Sequence, residues 1–170
     1  MDWGQAMKWM FADRTSVFPG FGRSFGRVSV FVAFLVVAAV SLAPAHAIQI
    51  PSDGEQDVLI RTTLTTFNDA NMTGNYAVLL AKASRQFQSQ ITAEKLATAF
   101  APFRTNELFF EGAVSAHCDP SDKPTIDSEG ALVLVGVLKT DDMQVKYRLR
   151  FVQNGKIWKL LGINVDAKKL

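Results

Sequence analysis

His117-Cys118-Asp119 sets an imidazole, a thiol and a carboxylate side by side, three groups from which enzymes draw a base, a nucleophile and an acid. Adjacency works against a dyad. In an extended segment successive side chains point to opposite faces, so His117 and Cys118 meet only if the chain before Pro120 is redirected. A metal site is also short of donors, because residues 48–170 hold one His and one Cys. The sequence therefore assigns no metal site and no cofactor. It contains neither a phosphate-binding glycine loop nor a serine-hydrolase elbow. Tyr147 could donate a hydrogen bond to a carbonyl or a developing oxyanion, but proton abstraction needs a placed base as well. Asp69 would serve only if its helix turned it inward. Between Asn68 and Asn71 it reads as a polar helix end, so the catalytic residues stay unknown.

The elements that must position these groups change character half-way along the chain, which signals an α+β fold. Ser52 and Glu55 form a capping box, after which Ile60, Leu64 and Phe67 recur at helical spacing as far as Asn71. Thr73-Gly74-Asn75 breaks that helix. Tyr76, Leu79, Leu80 and Ala83 then mark a short second apolar face, and Leu96, Phe100 and Phe103 a third helix starting after Thr92. From Leu108 the period becomes two, predicting strands over 108–116, 131–139, 144–153 and 156–165 in an antiparallel sheet of about four strands.

Asn154-Gly155 reads as a two-residue type I′ turn, which would place Phe151 opposite Trp158, Leu149 opposite Leu160, Tyr147 opposite Gly162 and Val145 opposite Asn164. If Asp141-Asp142 is a second short turn, Leu132 lies beside Phe151, Leu134 beside Leu149 and Gly136 beside Tyr147. Gly136, Tyr147 and Gly162 would then form a row across three strands. Such a row either packs as core or leaves a hollow beside the phenol, with Trp158 and Asn164 on the same face. Tyr147, Trp158 and Asn164 are thus the candidate ligand-binding residues. The opposite face carries Val133, Val135 and Val137 beside Lys146, Arg148, Arg150, Lys159, Leu161 and Ile163. It is either a solvated face or the interface of a homodimer. Arg150 opposite Lys159 calls for solvent screening, or for an acidic group from a neighbouring segment or a partner.

Upstream, an apolar run from Val28 to Ala43 follows Arg23 and Arg27 and leads into Ala45-His46-Ala47. That is the pattern of an export signal cut after Ala47. Ser29, Ser41 and Pro44 weaken the alternative, an uncleaved membrane anchor over residues 28–45. Residues 1–47 would be a signal peptide with a long N-terminal extension, and residues 48–170 a single domain that is periplasmic or secreted. Four of the 18 Lys and Arg and two of the 16 Asp and Glu precede Ile48, leaving 14 of each. The domain is near neutral, which speaks against nucleic-acid binding. Only an uncleaved leader would bring it to a membrane. Cys118 has no intramolecular disulfide partner, so packing must supply the stability.

The helix ending near Phe67-Asn68-Asp69, the break Thr73-Gly74-Asn75-Tyr76 before Leu79-Leu80, and the terminal hairpin Asn154-Gly155-Lys156-Ile157-Trp158-Lys159-Leu160 resemble the nuclear-transport-factor-2-like superfamily, the cystatin-like α+β cone. The likeness spans most of residues 55–165. It implies a cone-shaped domain with helices on a curved sheet, in a superfamily that includes isomerases, dehydratases, ligand binders and association domains. No Asp/His pair of such enzymes maps onto this chain. The leading expectation is therefore an exported module binding a small apolar or amphipathic ligand. The alternatives are a cofactor-free isomerase or dehydratase acting in the cone pocket, and a sheet-face dimer or envelope-assembly subunit.

Overall fold

The computed structural model describes residues 49–170, which all belong to one contact unit. The proposed leader, its cut after Ala47 and the alternative anchor lie outside the described residues. Helix α1 spans Asp53–Thr73. Its capping box is present as expected: the Ser52 hydroxyl accepts the Glu55 N–H, and the Glu55 carboxylate accepts the Ser52 N–H at 2.9 Å. Gly74 ends it in the left-handed conformation at φ 72°, where a glycine carries no Cβ penalty. Four short helices follow: α2 (Ala77–Lys82), α3 (Arg85–Gln90), α4 (Ala93–Ala99) and α5 (Ala101–Thr105). The single third helix expected from Leu96, Phe100 and Phe103 is divided at Phe100, two residues before Pro102, and α3 precedes it. Among the described residues no helix is long and apolar enough to cross a membrane.

Residues 108–116 are not the expected strand. Glu111–Val114 form a 3-10 helix, and pairing begins only at β1 (His117–Pro120). Phe110 and Ala113 are buried there against the core, so the alternation of apolar residues reflects a turn docked on α1 rather than a pleat. Strands β2 (Thr125–Ile126), β3 (Leu132–Lys139), β4 (Met143–Asn154) and β5 (Ile157–Lys169) complete a five-stranded antiparallel sheet, one more strand than expected. The order is β1-β3-β4-β5. β1 and β2 share one edge of β3, against Gly136–Lys139 and Leu132–Val133 respectively.

The β3–β4 register follows the Asp141-Asp142 turn, with Leu132 opposite Phe151, Leu134 opposite Leu149 and Gly136 opposite Tyr147. The β4–β5 register does not follow the Asn-Gly reading. Asn154 pairs with Ile157, so Gly155-Lys156 is the two-residue connection. Gly155 has φ 63° and no other residue of the turn has a positive φ, the pattern of a type II′ turn with glycine in the first central place. A bulge between Arg150 and Phe151 then leaves Leu161 as an extra residue. Phe151 faces Leu160, but Arg150 faces Gly162 and Tyr147 faces Val165. Because side chains alternate, one inserted residue sends Gly162 and Asn164 to the face opposite Tyr147.

The core lies between one face of the sheet and the helices. Phe67 sits near its centre, edge-on to Phe100 and Phe103 with ring centroids 4.7 and 5.2 Å away, and stacked on Phe110 at 6.3 Å. Such aromatic pairs add about 0.5–1.5 kcal/mol each beyond their buried area. Two asparagines of α1 are buried with the rings. Asn68 Oδ1 accepts the Phe110 N–H at 2.9 Å, and Asn71 Oδ1 accepts the Tyr76 hydroxyl.

Candidate functional site

The three candidate ligand-binding residues fall at two places: Tyr147 and Asn164 border one depression, and Trp158 lines a separate cleft. Tyr147 is 3% exposed, with its ring laid over Gly136 and its hydroxyl buried without a hydrogen-bond partner among the described residues. The space that a glycine leaves at position 136 is taken by the phenol itself, which is the core-packing alternative on the inner face. Asn164 stands on the outer sheet face opposite Arg148. There it borders an open depression of about 430 Å³ together with Gly136, Tyr147, Lys146, Arg148 and Asp166. Trp158 lines a different cleft, on the inner side of the hairpin. Gly162 has likewise left the row with Tyr147 and faces Arg150.

That cleft, about 220 Å³ in volume, lies between α1, α2 and the β4–β5 hairpin. The helical repeat of α1 supplies one wall, since Val58, Thr62 and Thr66 succeed one another at four-residue spacing with Leu59 and Thr63 beside them. Leu79 comes from α2, and Phe151, Trp158 and Leu160 from the hairpin. The Ser84 N–H donates to the Leu160 carbonyl at 2.8 Å, which ties the chain after α2 to β5 and holds the two sides at fixed separation. Leu79, Phe151 and Leu160 are buried, while Trp158 is half-buried. Its hydroxyl groups come from α1, at Thr62, Thr63 and Thr66, and its charged groups are Lys82 of α2 and Lys159 of β5. Lys82 Nζ donates to Thr66 Oγ1 at 3.1 Å, and the Thr66 hydroxyl in turn donates to the Thr62 carbonyl at 2.8 Å.

The groups singled out for catalysis do not converge on this cleft. Asp69 is exposed on α1, as a polar helix end would be. Cys118 faces Leu138 in the β1–β3 pair and packs against the core. Burial pushes its thiol up, opposed by Arg61, so it is a neutral thiol at neutral pH and a weak nucleophile. Arg61 is held by Asp57 at 2.7 Å and by the carbonyls of Val114 and Ala116 at 2.8 and 2.7 Å, clamping the 3-10 turn onto α1. The Asp119 carboxylate meets Lys139 at 3.2 Å. Among the described residues no Asp or Glu lines the cleft.

On the outer face, the charge of Arg150 is answered from within the chain. Its guanidinium donates to Asp127 at 2.7 Å and to Glu129 at 2.6 Å, both in the connection between β2 and β3. Lys159, expected opposite Arg150, pairs instead with Val152. The acidic group that the sequence called for is a neighbouring segment, so a second copy is not needed to supply it. Missed in the sequence were Thr62, Thr66 and Lys82, whose polar side chains on short or amphipathic helices look like ordinary solvated positions.

Comparison of the chain with family models, curated proteins and solved structures finds no match.

Proposed function

We propose that residues 48–170 form an exported, noncatalytic ligand-binding domain whose site is the cleft between α1, α2 and the β4–β5 hairpin, with Trp158 as its aromatic wall. The observation that carries this reading is the enclosure of an apolar floor, Leu79, Phe151 and Leu160, beneath hydroxyl groups that α1 supplies. A small amphipathic molecule matches that division. The volume of about 220 Å³ is below the 300 Å³ or so at which sites for drug-sized ligands begin, so the guest is a small one. The export signal read at Val28 to Ala47 puts this binding outside the cytoplasm, in the periplasm or the medium. The order of a long N-terminal helix, short helices and an antiparallel sheet ending in a long hairpin supports a relationship with the nuclear-transport-factor-2-like domains.

Titration of the 15N-labelled full chain with 1-hexanol, a neutral probe of suitable size, tests the site. The expected result is a saturable shift of the Trp158 indole N–H, assigned with Trp158→Phe, together with the amides of Thr62 and Thr66. Thr62→Phe, which fills the cleft from an exposed position of its wall, should abolish the shift. Shifts centred on the outer-face depression around Arg148 and Asn164 would move the site away from the cleft.

A further inference from the structure

Resting on that reading of the cleft, we infer that it selects anions: its ligand is a small amphiphile whose carboxylate-like head group sits on Lys82 while its apolar part lies against Trp158, Leu79, Phe151 and Leu160. Lys82 is the last residue of α2 and lines the cleft beside Thr66. Its ammonium has three N–H donors, of which Thr66 Oγ1 takes one. The Thr66 hydroxyl proton is committed to the Thr62 carbonyl, so the oxygen presents lone pairs to Lys82, and the ammonium is oriented by a two-step chain rooted in the α1 backbone. Among the described residues Lys82 makes no ion pair. Among the described residues, the charged ones that line the cleft are Lys82 and Lys159, both cationic. An oriented ammonium, no lining carboxylate and an apolar floor together complement a molecule with one negative end.

Size narrows the class further. At the ~30 Å³ that one water takes in the liquid, about 220 Å³ holds about seven non-hydrogen atoms. A six-carbon monocarboxylate fits that space with its head group at the mouth. Longer chains would protrude along the exposed side of α1 at Val58.

Hexanoate, 1-hexanol and hexylamine differ chiefly in the charge at one end, and titrating the full chain with each at low salt tests the inference by the Trp158 indole shift. Hexanoate should bind up to about fivefold more tightly than hexanol, the range of an exposed ion pair, and hexylamine more weakly than either. In 0.5 M NaCl the hexanoate-to-hexanol ratio should fall towards one, since exposed charges are then screened. Lys82→Gln should collapse the same ratio at low salt. Equal binding of hexanoate and hexanol by the unmodified chain, tighter binding of hexylamine, or a ratio indifferent to salt overturns the anion assignment while leaving the cleft as a site. Failure of all three probes to bind overturns both. The salt series on the unmodified chain decides the matter even if the variant folds poorly.

Discussion

The hydroxyl of Tyr147 lies where a side chain at position 136 would have to begin. A Cβ built on Gly136 would clash with that hydroxyl, stand 2.6 Å from Tyr147 Cζ and lie 2.7 Å from the Asp119 carbonyl oxygen. The phenol of β4 thus lies over β3 at its glycine, where the backbone of β1 also closes in. Here glycine provides for close approach rather than for an unusual backbone angle.

Gly136→Ala should therefore cost about 2 kcal/mol, within the range for forcing extra atoms into a packed core. Part of the clash is with β1 backbone, which cannot rotate away as a side chain can. Urea unfolding of the variant measures this, and a loss below about 0.5 kcal/mol would mean that the ring has room to move.

The two tyrosines of the chain, Tyr76 and Tyr147, should respond oppositely to loss of their hydroxyls. Tyr76 donates to Asn71 Oδ1 in the core, so Tyr76→Phe leaves a buried acceptor unpaired and should destabilise by about 1–2 kcal/mol. Tyr147 donates to nothing among the described residues, so Tyr147→Phe removes a buried polar group at no hydrogen-bond cost. It should be neutral or stabilising by up to about 1 kcal/mol. Equal destabilisation by both changes would show that the Tyr147 hydroxyl has a partner.

Both phenols also resist ionisation in the fold. Burial raises Tyr76 to about 12 against the pull of Arg104, and burial first, then Cys118, Asp57 and Asp119, pushes Tyr147 up. A raised folded value means that the neutral form is favoured by folding. The corresponding stability is complete below the unfolded value of about 10 and is lost as pH rises through it towards the folded values. Phenolate absorbance should consequently be absent at pH 10 and appear together with the loss of near-ultraviolet circular dichroism. A tyrosine titrating near pH 10 in protein that keeps its dichroism would contradict this burial.

Short-range signals carried much of this architecture. The Ser52-Glu55 box and Gly74 mark the bounds of α1 by local chemistry, and Asp141-Asp142 holds the β3–β4 register because Thr140 accepts the Met143 N–H across the same turn. What escaped was set by packing over distance. Asn154-Gly155 is a correct turn signal read one residue early, and nothing local announces the bulge at Leu161, which answers to the fit of β5 around Arg150 and Phe151. That one residue sent Asn164 to the outer face of the sheet and left Trp158 on the inner one. The 3-10 turn at Glu111–Val114 was hidden for a similar reason, since its apolar residues point at α1, 42 positions upstream for the Asn68–Phe110 bond.

Asn68 is the side chain that fixes that turn, and its removal should be costly. Asn68→Ala would leave the buried Phe110 N–H without its acceptor, a loss of about 2 kcal/mol. The Phe110 amide should also exchange with solvent faster than the global stability change explains. Exchange that only tracks global unfolding would mean that the 3-10 turn is held by packing alone.

The pairing of Arg150 with Asp127 predicts a pH-dependent stability whose sign can be worked out. Burial disfavours the Asp127 carboxylate, but the Ala131 N–H, the Arg150 guanidinium and the Glu129 N–H outweigh it and hold the group below the usual carboxylate range. Geometry agrees. Oδ1 accepts from Ala131 and Glu129 at 2.9 and 3.0 Å, and Oδ2 from two Arg150 nitrogens at 2.7 and 3.0 Å. A depressed folded value contributes stability that is present above the unfolded value of about 3.9 and is lost as pH falls through the folded one. Asp127→Ala should cost about 2 kcal/mol at pH 7, the scale of hydrogen bonds to charged groups for a pair whose side chains are 17% and 24% exposed. The difference from the unmodified chain should narrow below pH 4, as the unmodified chain gives up the same carboxylate. Urea midpoints of both proteins between pH 2 and pH 7 measure it, and a gap constant across that interval would show that Asp127 acts through turn geometry and not through its charge.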